Sequence, residues 1–262
     1  MDKSNSKKHS SESEQNKGSG LLIEGRNAVA EALKSGENPD KLYVQEGIGD
    51  GPVSRIVAQA KAGNILTVFV PKDKLDQMSP TGRHQGVILN LSAVTYADVD
   101  DILQKARDKG EPPFVFILDG IEDPHNLGAI IRTANLAGAH GVIIPKHRSA
   151  TVNATVAKAS AGAVYHTLIA KVTNISQTID YLKENGVWLV CADMAGTEMY
   201  KLNLKGSVGL VIGNEGSGVS KLVKEKCDMT ASIPMKGDID SLNASVAAGV
   251  LAWEIVRQNL NH

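Results

Sequence analysis

The 262-residue chain holds only two cysteines, Cys191 and Cys227, far apart in sequence and outside any CxxC pairing. Two such residues supply neither a disulfide framework nor a cysteine zinc cage, and both are read as reduced thiols of a reducing compartment. No apolar run approaches the roughly 18 residues that a membrane span requires, and the first twenty residues are polar rather than signal-like. A soluble, cytoplasmic protein without membrane contact is expected. An excess of one charge is missing too: 28 Lys and Arg stand against 29 Asp and Glu, for a formal net charge of -1. That balance excludes a protein that coats nucleic acid through global charge; DNA is not an expected partner, and any RNA contact must use a local basic patch.

Several chemical signatures are absent as well. No HExxH or paired histidine spacing suggests a metal, because His125, His140, His147 and His166 fall on different elements, and no metal site is expected. No GxSxG elbow supports a serine hydrolase. Neither the phosphate-binding GxxxxGK[ST] loop nor the GxGxxG fingerprint occurs, which argues against a nucleotide-dependent oxidoreductase of doubly wound fold.

What is present suggests two domains, since roughly 150 residues per domain is the usual scale. Residues 1–20, rich in Ser, Lys and Glu, have almost nothing to bury and read as a disordered tail. From 21 to 95 a small αβαβαβ unit is expected: a helix capped by Asn27, strand KLYVQ, a helix with Pro52 near its start, strand ILTVFV, a short polar helix at Lys72 to Met78, and strand HQGVILNLSAV. Residues 96–113 read as a polar, partly helical linker closed by Pro112 and Pro113. From 114 to 262, apolar strands such as FVFILD and SVGLVIG alternate with helices, which implies a parallel sheet covered on both faces.

Three stretches of this second domain carry polar residues where packing alone would not place them. In LDGIEDPHNLGAIIRTANLAG a strand ends at Asp119 and a helix opens at Asn126, with Arg132 about two turns in. Ligands of open α/β sheets bind beyond the carboxyl ends of strands, so Asn126 stands where a site is expected, although it could equally cap its helix and Arg132 be a solvated charge. In VGLVIGNEGSGVS, Gly213, Gly216 and Gly218 permit close backbone approach, while Glu215 either serves a site or favours the next helix start. In SIPMKGDIDSLNASVAAGV, Ser241 or Asn243 could cap the last helix. The small residues Ala244, Ser245, Ala247, Ala248 and Gly249 admit a ligand or another backbone.

Together, NLGAIIRTA from Asn126, IGNEGSG from Ile212, and SIPM from Ser232 followed by SLNASVA from Ser241 resemble the motifs of the SPOUT superfamily. Within it they are similar to the SpoU or TrmH family of RNA ribose 2′-O-methyltransferases, the closest likeness being the bacterial group that methylates a guanosine of 23S rRNA. EGRNAVAEAL from Glu24 and HQGV from His84 resemble the substrate-binding domain, of ribosomal-protein L30e type, that precedes the catalytic domain in this group.

The resemblance implies an α/β fold with a small N-terminal L30e-like domain and a C-terminal parallel-sheet domain tied in a deep trefoil knot. It implies S-adenosylmethionine as cofactor, an RNA substrate, and a homodimer through the C-terminal domain. Carried onto this sequence, it places Asp193, Met194, Ala195, Gly196, Gly213, Ile233, Pro234 and Leu242 at the methyl donor, and Asn126, Arg132, Glu215, Ser241 and Asn243 at the reaction. Family proposals make Arg132 a base assisted by the substrate phosphate; a guanidinium, planar and rich in donors, is better suited to orient that phosphate and stabilise a developing alkoxide. Glu215 and Asn243 would then hold Arg132 and the ribose. Arg26 and Arg83 are the charges of interest in the first domain, each a surface residue or an RNA contact. The competing functions are tRNA ribose methylation and a non-catalytic ribosome-assembly factor that binds RNA.

Overall fold

The computed structural model describes residues 22–35, 37–238 and 241–260, so the tail expected over 1–20 lies outside the described residues. The chain divides into two compact units, one running to Ser92 together with residues 153–155, the other holding Ala93–Val152 and the chain from Val156. Among the described residues no helix is long and apolar enough to cross a membrane.

The first unit runs β1 (Leu22–Glu24), α1 (Arg26–Ala32), β2 (Pro39–Gln45), α2 (Gly51–Ala62), β3 (Leu66–Val70), α3 (Lys72–Met78) and β4 (Val87–Leu91). Its sheet has the order β1-β4-β2-β3, with β2 and β3 parallel and β4 antiparallel to both β1 and β2. The two-residue period of β2 turns Leu42 and Val44 inward, where they join Val29 of α1, Val53 and Ile56 of α2, and Val87 and Leu89 of β4. Asp50 caps α2, its carboxylate accepting from the Val53 amide at 3.1 Å, and Pro52 occupies the first turn, where its missing N–H costs nothing. Two expectations change. The first helix begins at Arg26 behind Gly25 rather than being capped by Asn27, and Leu22–Glu24, too short to show a period, adds a fourth strand.

In the second unit, residues 96–113, expected as a linker, hold α4 (Val99–Lys109), whose Ile102 and Leu103 are buried in this unit's core. Then follow β5 (Phe114–Asp119), α5 (Pro124–Leu136), β6 (Gly141–Pro145), α6 (Ala154–Ala159), β7 (Leu168–Val172), α7 (Ile175–Glu184), β8 (Trp188–Glu198), β9 (Val208–Gly213), α8 (Lys221–Lys226), β10 (Met229–Ser232) and α9 (Ala244–Asn259). The six strands are all parallel, in the order β10-β8-β9-β5-β6-β7. Both faces are buried. Phe116 and Leu118 pack with residues of α5 and α9, whereas Val115 and Ile117 of the same strand pack with residues of α4, α7 and α8. Each such side chain contributes ~1.5–3 kcal/mol by leaving water, which makes the central strands a rigid base for the loops at their ends.

From β5 the sheet grows through β6 and β7 on one side, while β9, β8 and β10 lie on the other. The order in which strands are added reverses between β5 and β9, so a crevice opens beyond their carboxyl ends. Several boundaries differ from the sequence reading. The expected strand VYHTLIA shortens to β7 because Ala163–His166 form a 3-10 turn. β10 stops at Ser232, before Ile233 and Pro234, and α9 begins at Ala244 rather than at Leu242. Cys191 and Cys227 are both free thiols.

Candidate active site

The site begins with an irregularity. Along β10, Thr230 lies opposite Cys191 but Ala231 lies opposite Thr197, so residues 192–196 of β8 have no counterpart and bow out of the ladder. Where the strands rejoin, a Cβ on Gly196 would stand 2.5 Å from the Thr230 carbonyl oxygen, so the position admits only glycine. A second close approach ends β9: a Cβ on Gly213 would lie 2.1 Å from the Gly218 carbonyl carbon. There the loop closes on itself, the Asn214 amide donating to the Gly218 carbonyl at 3.1 Å and the Gly218 amide to the Asn214 carbonyl at 2.8 Å. The Asn214 side chain fixes this loop to the end of β5, donating from Nδ2 to the Gly120 carbonyl at 2.9 Å while Oδ1 accepts from the Gly216 amide at 2.8 Å.

Between the bowed segment, this loop and the start of α9 lies a cavity of about 410 Å³. Ile212, Ala231, Ile233, Leu242 and Leu251 form apolar walls, and Asp193, Glu215 and Ser241 bring polar groups. Five of the expected donor-pocket residues line it: Asp193, Met194, Gly213, Ile233 and Leu242. Ala195, Gly196 and Pro234 do not: Ala195 is turned to solvent, and Gly196 is pressed against Thr230. Sequence reasoning missed Asn214, Met235 and Leu251. Ala244, Ala247 and Leu251, spaced on one face of α9, are the signal that would have located the wall contributed by that helix. The Asp193 carboxylate pairs with Lys224 at 2.6 Å, and the Lys224 ammonium holds it below the usual carboxylate range. Its Oδ1 accepts from the Ala195 amide at 2.9 Å, bracing the bow.

At the rim, three distant segments meet on one carboxylate. Asp123, not Asn126, caps α5, accepting from the Asn126 amide at 3.0 Å. The Asn126 side chain is thereby free of capping and donates from Nδ2 to Glu215 Oε1 at 2.8 Å. Asn243 donates from Nδ2 to Asn126 Oδ1 at 3.0 Å and to Glu215 Oε1 as well. Its own Oδ1 caps α9, accepting from the Ser245 amide at 2.9 Å and the Val246 amide at 3.3 Å. One side chain thus caps α9 and joins the rim cluster. The structure does not join the remaining two expected residues to this cluster. Ser241 is exposed on the cavity wall. Arg132, exposed on α5, makes no hydrogen bond or ion pair with any described residue, so Glu215 and Asn243 do not hold it.

The SpoU rRNA methylase family model matches residues 113–253, and the model for RNA 2′-O ribose methyltransferase substrate binding matches residues 22–97. YacO of Bacillus subtilis, assigned to the TrmH family of tRNA/rRNA methyltransferases, is 48% identical over 236 residues, covering 89% of this chain and 94% of its own. A Staphylococcus haemolyticus protein of the same assignment is 45% identical over 239 residues, with 91% and 96% covered. Among solved structures, the SpoU methyltransferase AviRb from Streptomyces viridochromogenes, in complex with AdoMet, superposes with a TM-score of 0.59 at 25% identity, over 92% of this chain and 91% of that one. The AdoMet-bound rRNA methyltransferase from Sinorhizobium meliloti gives 0.55 at 28% identity, over 90% and 87%.

Proposed function

Because the chain belongs to the SpoU rRNA methylase family of RNA methyltransferases, we propose that its second unit transfers a methyl group from S-adenosylmethionine to a ribose 2′-hydroxyl of RNA, and that this RNA is 23S rRNA modified at a guanosine. One observation carries the reading: Glu215 stands in the cavity wall and also accepts from both Asn126 and Asn243, so a small-molecule pocket and a polar reaction site share an edge.

The cavity suits the cofactor. Its ~410 Å³ falls in the range of small-molecule pockets, with apolar walls for a heterocycle and few polar groups to orient it. Ile233, Leu242 and Leu251 would flank the adenine, and the loop from Gly213 and the bowed segment at Asp193 would supply polar contacts. When bound, S-adenosylmethionine supplies a sulfonium methyl that an oxygen takes in line, leaving a neutral thioether.

This chain's residues then have the task of placing the 2′-hydroxyl and managing its charge as its proton passes to solvent water. Arg132, a permanent cation with no intramolecular partner among the described residues, binds the neighbouring phosphate and stabilises the developing alkoxide. Asn126 and Asn243, held in orientation by Glu215, position the ribose. Ser241 lies at the cavity wall beside them and serves the same end.

The first unit selects RNA, consistent with the model that matches it, and the cytoplasm is the compartment where the substrate is made. RNA selection is assigned to residues 21–95 and methyl transfer to residues 114–262, with α4 packed into the core of the second unit. Threading of the C-terminal segment into a trefoil knot belongs to the same reading, as does pairing of two second units. Support for pairing comes from Val246 and Trp253, one face of α9, which are half exposed, and from exposed Leu136 of α5, the helix that packs on α9.

The test is transfer of labelled methyl from S-adenosylmethionine to purified rRNA and to purified tRNA, followed by mapping of the modified ribose. Labelled guanosine ribose in 23S rRNA is the expected result. Label in tRNA alone would move the substrate, and label in neither would overturn the activity. Solution mass tests the pairing, a monomer at micromolar concentration being the adverse outcome.

A further inference from the structure

We infer that the first unit carries a single-stranded RNA groove at the carboxyl ends of β2 and β3, with Arg26, Lys72 and Arg83 contacting phosphates, Gln45 and Gln85 facing bases, and Phe69 offering a stacking surface. This inference rests on the proposed activity only in its choice of RNA.

The two stretches EGR and RHQG, far apart in sequence, are built into one structure. The Arg26 amide donates to Gln85 Oε1 and its Nε to the Gln85 carbonyl, each at 3.1 Å. Gln85 is held at φ 50°, a left-handed conformation rare for a residue with a side chain and found where the surroundings over-determine it. His84, buried, is fixed from both sides, Nδ1 accepting from the Gly86 amide at 2.9 Å and Nε2 lying 2.8 Å from Asp76. These contacts shape an open groove of about 660 Å³ in which the three cations face one carboxylate, Asp76.

Two of the cations are tethered: Arg26 to Asp50 at 2.8 Å and Lys72 to Asp76 at 2.7 Å. Arg83 has no side-chain partner among the described residues and is exposed. Ile48 also lines a smaller apolar hollow that contains Phe69, whose ring is 52% exposed on the edge strand. Cations, amides and an open aromatic in sequence along one surface are what a single strand with splayed bases requires, and a stacked duplex would leave the aromatic unused.

The experiment measures affinity of the full chain for a fluorescein-labelled oligouridine strand, and for a duplex of the same length, across a salt series. Arg83→Ala should flatten the plot of log affinity against log salt by about 0.7, the value of one phosphate contact to a single strand, and Arg83→Lys should restore it. Phe69→Ala should weaken the single strand about 5-fold or more and leave the duplex unchanged. The far-UV circular dichroism and thermal unfolding of the same variants should stay at the wild-type values and so report an intact first unit. Wild-type affinity and slope in both alanine variants would overturn the groove. Equal binding and equal loss with the duplex would overturn its single-strand character. A protein that transfers no methyl but shows these losses would sink the proposed activity and keep the groove; transfer with unchanged RNA affinity would do the reverse.

Discussion

The cavity of the second unit and the groove of the first are built from different materials. The cavity, about 410 Å³, sits on ends of all-parallel strands buried on both faces and has apolar walls broken by a few polar groups. The groove, about 660 Å³, is bounded by loops of a four-stranded mixed sheet and is lined by cations and amides. A deep, dry wall selects one small molecule by fit, whereas an open charged surface follows a polymer whose bulk stays in water. The comparison predicts a division of labour, cofactor and chemistry in one unit and RNA affinity in the other, and that division can be tested residue by residue.

The largest effect is expected at Arg132. Arg132→Ala should lower kcat by about 10²–10³, the usual loss on removing a group that stabilises charge in the transition state. Melting temperature and cofactor affinity should not move, because the side chain bonds to no partner among the described residues. A variant in which only KM for RNA rises would place Arg132 with the groove residues and erase the division. Next comes Glu215→Ala, which removes the carboxylate that Asn126 and Asn243 share and leaves only the direct hydrogen bond between them. Turnover should fall by about 10²-fold, as for a misplacement of about 1 Å, with RNA affinity retained. Single-turnover kinetics at saturating RNA separate these outcomes.

How much of this was legible beforehand follows the same contrast. The parallel strands could be read because residues buried on both faces form continuous apolar runs, as in FVFILD and VGLVIG. α4 was not, since most of its residues are charged or polar, and Ile102, Leu103 and Ala106 are too few to mark it as part of a core. Asn126 was placed at the right strand end but given an alternative role as cap that Asp123 fills, three residues earlier. Asn243 was offered as cap or site residue; it caps α9 and also bonds Asn126 and Glu215 at the cavity rim. The bow at residues 192–196 could not be foreseen: it comes from a register jump against β10, a property of two strands that neither shows alone. For the same reason the close approach of Gly196 to Thr230, where β8 and β10 rejoin, could not be read from its motif.

A smaller effect tests the cavity wall. Gly213→Ala inserts a methyl where the Gly218 backbone already stands, so the loop must shift, at a cost of about 1–3 kcal/mol typical of overpacking. Because that loop lines the cavity, cofactor affinity should weaken together with the melting temperature, while affinity for oligouridine stays unchanged. Loss of RNA affinity in step with cofactor affinity would show that the two hollows are not independent.

The smallest expected effect is pH-dependent and concerns Asp193. Its carboxyl is held below the usual range by hydrogen bonding to Lys224, so the folded protein binds that proton less readily than the unfolded chain. The resulting stabilisation is fully present above the ordinary carboxylate value of ~3.9 and is lost as pH falls through the lower folded value. The pair is partly open to solvent, with 25% and 37% of the two side chains exposed, which limits its contribution to less than about 1 kcal/mol. Asp193→Asn should therefore melt slightly below wild type at neutral pH, and the two curves should converge in acid. A gap that persists at the lowest pH would assign the stabilisation to the Ala195 hydrogen bond, which an asparagine oxygen retains less well, rather than to the charge pair.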